Sequence, residues 1–339
     1  MNSGKIGVIM GGTSAERDVS LTSGRAVVAA LEDAGKEVVP VVIEDGPQAL
    51  AAVLAAKIDR AFLALHGRLG EDGCVQGLLE ILGIPYTGSS VLASALAMDK
   101  VKAKELFRLH NVPTPPYYVF DAKDCAGDLE EIHGSFGFPV VVKPRREGSS
   151  IGVSKAKNLA ELAMAIEQAL LLDDSVLVER FIQGKEIAVG ILDGRVLGAV
   201  EIVPKSGMYD YEAKYTPGAT EYHCPARLPA TRSRGVLNLG ERAAEALGTT
   251  GAVRVDLLVT EGQNEYVLEV NTLPGMTPTS LLPKIAASVG FRFSDLCVAI
   301  TDRARLHTAQ VRQKASVVRF EWAEDGAAED AVARAVRVA

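Results

Sequence analysis

Three oxygen-bearing side chains carry the sharpest chemical signal in this chain. Asp256 lies in Arg254-Val255-Asp256, and about a dozen residues later comes Leu268-Glu269-Val270-Asn271. Alternate residues of a strand project to one face, so Glu269 and Asn271 point together, and Asp256 on a neighbouring strand can face them. The apolar residues around them (Val267, Leu268, Val270) set this pattern apart from a solvated sheet face. Oxygen donors with no His or Cys among them suit Mg²⁺ held against phosphates. The turn that follows, Thr272 to Thr277, can aim backbone N–H groups into the same place.

A second cluster pairs glycines and serines with positive charge. Gly148-Ser149-Ser150-Ile151-Gly152 follows Lys143, Arg145 and Arg146. Backbone N–H groups and hydroxyls of such a loop can fold over phosphates, helped by Lys143. The same residues fit the G-x-S-x-G nucleophile elbow, which would make Ser150 a nucleophile with His223 or His307 as its base. That elbow needs strand, tight turn and helix, whereas Gly152 to Lys155 read as extended. Other candidates are weaker alone. Glu16 also suits a helix N-terminus, and His66 suits a satisfied polar group at a strand end. The aromatics of Tyr209-Asp210-Tyr211-Glu212-Ala213-Lys214-Tyr215 suit a core. The chain has no G-x-x-x-x-G-K-[ST], no G-x-G-x-x-G and no H-E-x-x-H, so P-loop, dinucleotide and zincin signatures are missing.

Several elements must position these groups. Ile6 to Met10 reads as a buried strand running into Gly11-Gly12. A helix over 20–34, a strand over Val38–Ile43, a helix over 48–56 and a strand over Arg60–Leu65 follow. That alternation predicts a parallel doubly wound sheet, whose ligands bind beyond the carboxyl ends of its strands. Composition shifts after Asp99-Lys100. A helix over 100–110, a Pro113/Pro115/Pro116 break, a strand over 138–143, the glycine-serine loop, a helix over 159–171 and a strand over 176–179 predict an α+β unit. A hairpin around Asp193-Gly194, a helix over 233–247 and a second hairpin around Glu261-Gly262 complete the pattern.

The 339 residues carry a formal charge of −7, with 43 acidic against 36 basic side chains. No Lys/Arg block stands out, which argues against a nucleic-acid or anionic-membrane footprint. Four scattered cysteines (Cys74, Cys125, Cys224, Cys297) read as free thiols in a reducing compartment. No apolar run reaches membrane-spanning length and no cleavable leader is evident, so a soluble cytoplasmic protein is expected.

In combination, these residues closely resemble the D-alanine–D-alanine ligases of the ATP-grasp superfamily. The matching segments run in order: GVIMGGTSAERDVSLTSG at 7–24, HGRLGEDGCVQGLLEILGIPYTGS at 66–89, MDKVKAK at 98–104, VKPRREGSSIGVSK at 142–155 and VLVERFIQGKE at 176–186. YDYEAKY at 209–215, RVD at 254–256 and LEVNTLPGMTPTSLLP at 268–283 complete them. The resemblance implies an α/β and α+β chain: an ATP-grasp fold behind an N-terminal doubly wound domain. The implied divisions are 1–98, a central subdomain over 99–185, a C-terminal subdomain over 186–308, and a tail over 309–339 without assigned role.

By that resemblance Lys100 and Lys143 hold ATP phosphates beneath a lid containing Ser149. Glu179, Phe181, Ile182 and Glu186 line the adenine and ribose pocket, and Lys214 reaches the nucleotide. Asp256, Glu269 and Asn271 carry two Mg²⁺ (or Mn²⁺) ions. Glu16 anchors the first ammonium, while Arg254 and the Gly275 amide meet a developing oxyanion. Ser280 and the Leu281 amide hold the second carboxylate, with His66 in the substrate-binding set. Ser149, Tyr215 and Glu16 form a hydrogen-bonded set, and Tyr215 favours a dipeptide over a depsipeptide product. The implied reaction passes through a D-alanyl phosphate and supplies peptidoglycan, and a homodimer is expected. Other readings are a D-alanine–D-serine or other D-amino-acid ligase, a serine hydrolase at Ser150, and a non-catalytic nucleotide-binding protein, against which the intact Arg254, Asp256, Glu269 and Asn271 speak. Ala252-Val253 replaces the Trp-Gly or Trp-Ala common before the arginine, and Thr279 replaces a frequent histidine.

Overall fold

The computed structural model describes residues 4–44, 46–124, 126–207, 209–216, 218–262 and 264–308, with the backbone alone at 46, 47, 126, 211 and 215. The 309–339 tail, Cys125 and the side chain of Tyr215 therefore lie outside the described residues. The chain divides after Arg305.

Its first part alternates as the apolar runs require. The elements are β1 (Ile6–Gly11), α1 (Arg17–Asp33), β2 (Val38–Ile43), α2 (Gly46–Ala56), β3 (Arg60–Leu63), α3 (Cys74–Leu82), α4 (Val91–Met98) and α5 (Lys100–Leu109). The strands form a parallel sheet of order β2-β1-β3. All six residues of β1 are buried, as a central parallel strand covered on both faces must be. Helix α1 starts earlier than its periodicity predicts, because the polar turn Ser14–Glu16 closes its first backbone bonds.

The second part contains β4 (Tyr117–Asp121), α6 (Leu129–His133), β5 (Val140–Pro144), β6 (Ser154–Ala156), α7 (Leu159–Leu170) and β7 (Ser175–Arg180). These strands make an antiparallel sheet of order β4-β7-β5-β6. Asn158 caps α7 by accepting the Glu161 N–H at 2.9 Å. Leu162, Ile166 and Ala169 of α7 pack on Val140, Val142 and Val178 in a core of their own.

The third part holds β8 (Lys185–Leu192), β9 (Arg195–Pro204), α8 (Tyr211–Tyr215), β10 (Thr220–His223), α9 (Ala230–Ala246), β11 (Ala252–Val259), β12 (Glu265–Asn271), α10 (Leu281–Ser288) and α11 (Phe293–Thr301). Its antiparallel sheet has the order β10-β9-β8-β11-β12, and both expected hairpins are present as β8–β9 and β11–β12. One face packs on α9 and also on Ala103 and Phe107 of α5. The other packs on α10 and α11 and continues into α1 and β1. Gly88 and Gly251 bring the parallel sheet's edge against this part. A Cβ at Gly251, whose φ is +72°, would lie 2.8 Å from the Gly88 Cα. Ala252 and Val253, which stand before Arg254, are buried. Among the described residues no helix is long and apolar enough to cross a membrane, and Cys74, Cys224 and Cys297 are free.

Candidate active site

The carboxyl ends of β1 and β3 deliver the first groups. Glu16 sits just before α1 and is buried. Ser14 Oγ beside it donates to the His66 carbonyl at 2.7 Å, joining the two strand ends. Glu71, which the sequence reading did not single out, accepts the Gly67 N–H at 2.6 Å. Burial raises the Glu16 carboxyl despite its Ser149 partner. Burial, with Glu16 beside it, pushes Glu71 up to about 8. Burial and the nearby Arg254 bring His66 down to about 4, so the ring is neutral at neutral pH, and among the described residues its Nε2 has no hydrogen-bond partner. Two buried carboxyls that burial disfavours as anions make a pocket suited to an incoming ammonium.

The loop between β5 and β6 closes over these groups. Ser149 and Ser150 both take positive φ, +47° and +58°, a conformation that side chains other than glycine adopt only when their surroundings enforce it. The enforcing contacts are visible. The Ser149 hydroxyl donates to the Glu16 carboxylate, and Ser150 Oγ donates to the Tyr209 carbonyl at 3.2 Å. The loop leads into strand β6, not a helix, so the nucleophile-elbow context for Ser150 is missing.

Below the loop lie the cations. Asp99 caps α5 by accepting the Val101 and Lys102 N–H groups, both at 3.1 Å, and takes Arg145 Nε at 2.8 and 2.9 Å. This fixes the start of α5, where Lys100 Nζ donates to the Glu147 carbonyl at 2.5 Å. Lys143 Nζ donates to Glu179 Oε2 at 2.6 Å. Burial alone would raise Glu179, but Lys104 and Lys143 outweigh it and hold the carboxyl near 2. Burial, with Asp256 nearby, lifts Glu186 to about 7. Lys214 of α8 lies 5.2 Å from the Tyr209 ring centroid.

On the third sheet the register puts Asp256 opposite Glu269 and Arg254 opposite Asn271. The Asp256 carboxylate takes Arg254 Nε and Nη2 at 2.8 and 2.9 Å. Burial would raise Glu269, yet Lys100, Lys214 and Arg254 keep its carboxyl below the usual range. Asn271 Oδ1 accepts the Leu273 N–H at 3.0 Å, shaping the turn toward Gly275. Ser280 Oγ accepts the Thr277 N–H at 3.1 Å and lies 2.7 Å from Thr277 Oγ1; Thr279 Oγ1 is 3.1 Å from the same hydroxyl. Among the described residues no three His, Cys, Asp or Glu side chains form a ready metal cage. An all-oxygen pair on adjacent strands, short of a full shell, fits Mg²⁺ or Mn²⁺, which a phosphate would finish coordinating.

Two cavities adjoin here. One of 470 Å³ is lined by Lys143, Glu179, Phe181, Ile182, Glu186 and Asp256. The other, of 670 Å³, is lined by Glu16, His66, Ser149, Arg254, Gly275 and Ser280, with Leu281 and Asn271 also on its wall. Lys100, Glu147, Tyr209, Lys214 and Glu269 line both. Every residue that the resemblance places in the nucleotide, metal or substrate sets thus falls on one wall or the other, apart from the undescribed Tyr215 side chain. Sequence reasoning passed over Glu71, Lys104 and Tyr222, and read Tyr209 as suited to a core. Lys104 follows Lys100 by four residues on one helix face, a spacing that could have flagged it.

A basic glycine-serine loop on one antiparallel sheet and an acidic strand pair on another, lining one cleft, make this an ATP-grasp fold. Family models for the D-ala D-ala ligase C-terminus and N-terminus match residues 106–302 and residues 5–52 and 47–89. The chain belongs to the D-alanine–D-alanine ligase family. It is 55% identical over 304 residues to the D-alanine–D-alanine ligase of Geobacter sulfurreducens, covering 89% of this chain and 94% of that one. The crystal structure of the Bacillus anthracis D-alanine–D-alanine ligase complexed with ATP is similar, with a TM-score of 0.77 and 36% identity over 92% of this chain and 99% of that one. The VanG D-Ala:D-Ser ligase of Enterococcus faecalis is similar at a TM-score of 0.76 and 31% identity, over 87% and 98%.

Proposed function

We propose that this enzyme joins two D-alanines into D-alanyl-D-alanine while converting ATP to ADP and phosphate. The observation that carries the reading is the shared wall: one cavity fits a nucleotide, the other two small zwitterions, and Lys100, Lys214 and Glu269 stand between them. A γ-phosphate and a substrate carboxylate can meet only there.

The nucleotide lies along Glu179, Phe181, Ile182 and Glu186, with Lys100, Lys143 and Lys214 on its phosphates. Asp256, Glu269 and Asn271 would hold Mg²⁺ or Mn²⁺, which when bound neutralises phosphate charge. The first D-alanine puts its ammonium on Glu16, beside the neutral His66 and Glu71. Its carboxylate oxygen attacks the γ-phosphorus, the bond to ADP breaks, and an acyl phosphate forms. The second D-alanine lies with its carboxylate on Ser280 and the Leu281 N–H. Its amine, having lost a proton to solvent or phosphate, attacks the acyl carbon. Arg254 and the Gly275 N–H meet the oxyanion, and the C–O bond then breaks to release phosphate. Fixed donors supply most of this stabilisation. Ser149 bonded to Glu16 closes the loop over the intermediate, with Tyr215 as the third member of that set.

This reading keeps the divisions at 1–98, 99–185 and 186–308, a homodimer in the cytoplasm, and a place in peptidoglycan synthesis. The net charge of −7 supports small-molecule over nucleic-acid partners. ADP release with ATP and Mg²⁺ is expected with D-alanine and not with L-alanine, alongside the D-alanyl-D-alanine mass. Turnover that needs D-serine as partner would move the assignment to a D-alanine–D-serine ligase.

A further inference from the structure

The mechanism above uses Lys100 and Lys143 on phosphates and leaves Lys104 without a part. Lys104 lies one turn after Lys100 on α5 and is enclosed, with its side chain 1% exposed. Its Nζ is 2.9 Å from Glu179 Oε1 and 2.5 Å from Thr114 Oγ1. Thr114 Oγ1 in turn donates to the Val267 carbonyl at 2.9 Å, and the Val267 N–H donates to the Pro113 carbonyl at 2.8 Å. One ammonium therefore ties β7 of the four-stranded sheet to β12 of the five-stranded sheet. The other Glu179 oxygen takes Lys143 at 2.6 Å. A single buried carboxylate faces two lysines, and only Lys143 lines the nucleotide cavity.

That asymmetry matters when a polyphosphate arrives. Were Lys143 the sole counter-charge of Glu179, drawing it toward a phosphate would strand a carboxylate in a dry site, which is heavily penalised. A second lysine that stays behind removes the penalty. We propose that Lys104 is a positioning residue for the nucleotide: a buried counter-cation that holds Glu179 in place while Lys143 turns to the phosphates. The proposal rests on reading the smaller cavity as the ATP site.

Calorimetric titration of the full chain with a non-hydrolysable ATP analogue and Mg²⁺ tests it, alongside steady-state kinetics. Lys104→Met should weaken analogue binding and raise the ATP KM by about tenfold or more, with kcat changed less than about threefold and the D-alanine KM unmoved. Added to Glu179→Gln, the same change should alter binding less than about twofold, since a neutral amide needs no counter-cation. Wild-type affinity in Lys104→Met, or an equal loss in both backgrounds, would overturn the proposal. Should Lys104→Met alone fail to fold, the Glu179→Gln and doubly substituted proteins decide it by the same criterion. A wild-type protein that binds no analogue would instead overturn the ATP reading, and this proposal with it.

Discussion

In the proposed reaction, Arg254 and Asp256 would serve two ends of one event. Their two-pronged bond holds the guanidinium on the wall of the 670 Å³ cavity and keeps Asp256 beside Glu269. Arg254→Lys keeps the charge and loses the fork, so kcat should fall by about a hundredfold or more while ATP affinity stays near wild type. Single-turnover ADP formation and analogue binding would separate the two. Glu71 makes a prediction of another kind. Its folded-state pKa near 8 stands above the ordinary value of 4.5, so the folded protein holds this proton longer than the unfolded chain does. Its contribution to stability is therefore complete below the ordinary value and is lost as pH rises toward 8. Glu71→Gln, which keeps an acceptor for the Gly67 N–H, should remove that loss. Melting temperatures of the two proteins should diverge in the variant's favour from about pH 5 to about pH 8. Parallel curves would contradict the assignment.

At the scale of elements, the loop between β5 and β6 reaches Glu16 through Ser149 and Lys100 through the Glu147 carbonyl. Gly148 has room for no side chain, because a Cβ there would run into the Glu16 carboxylate. Gly148→Ala should lower kcat/KM by about tenfold or more and leave the melting temperature nearly unchanged, since no core contact is lost. An unaltered rate would mean that the loop does not need to close on Glu16. The elements that could be read from sequence were those with a strong period or turn, among them β1, β2, β3, the β8–β9 and β11–β12 hairpins, α7 and α9. Helices α4 and α10 and strands β4 and β10 escaped notice because they are short. Packing defines them, as with Leu282 and Ile285 of α10 against Ala188 and Val200. The residues that line the two cavities were legible because they cluster in motifs around loops and strand ends. Glu71 was not, since burial of a single charge leaves no mark in a sequence, and Lys104 left only its four-residue spacing from Lys100.

Across the whole molecule the cores are shared unequally. The parallel sheet and the five-stranded sheet are joined through α1, α10 and α11 in one continuous apolar core, while the four-stranded sheet has a core of its own. The groups that would hold a substrate come from the joined parts, whereas Lys143, Glu179 and the glycine-serine loop come from the separate one. Phosphoryl transfer between the two cavities would move one oxygen atom from the first substrate's carboxylate into the released phosphate. With D-alanine labelled by oxygen-18 in its carboxylate, the released phosphate should carry one labelled oxygen for each D-alanyl-D-alanine formed. Dipeptide formed with unlabelled phosphate would contradict the acyl phosphate and the meeting of the two cavities at Lys100, Lys214 and Glu269.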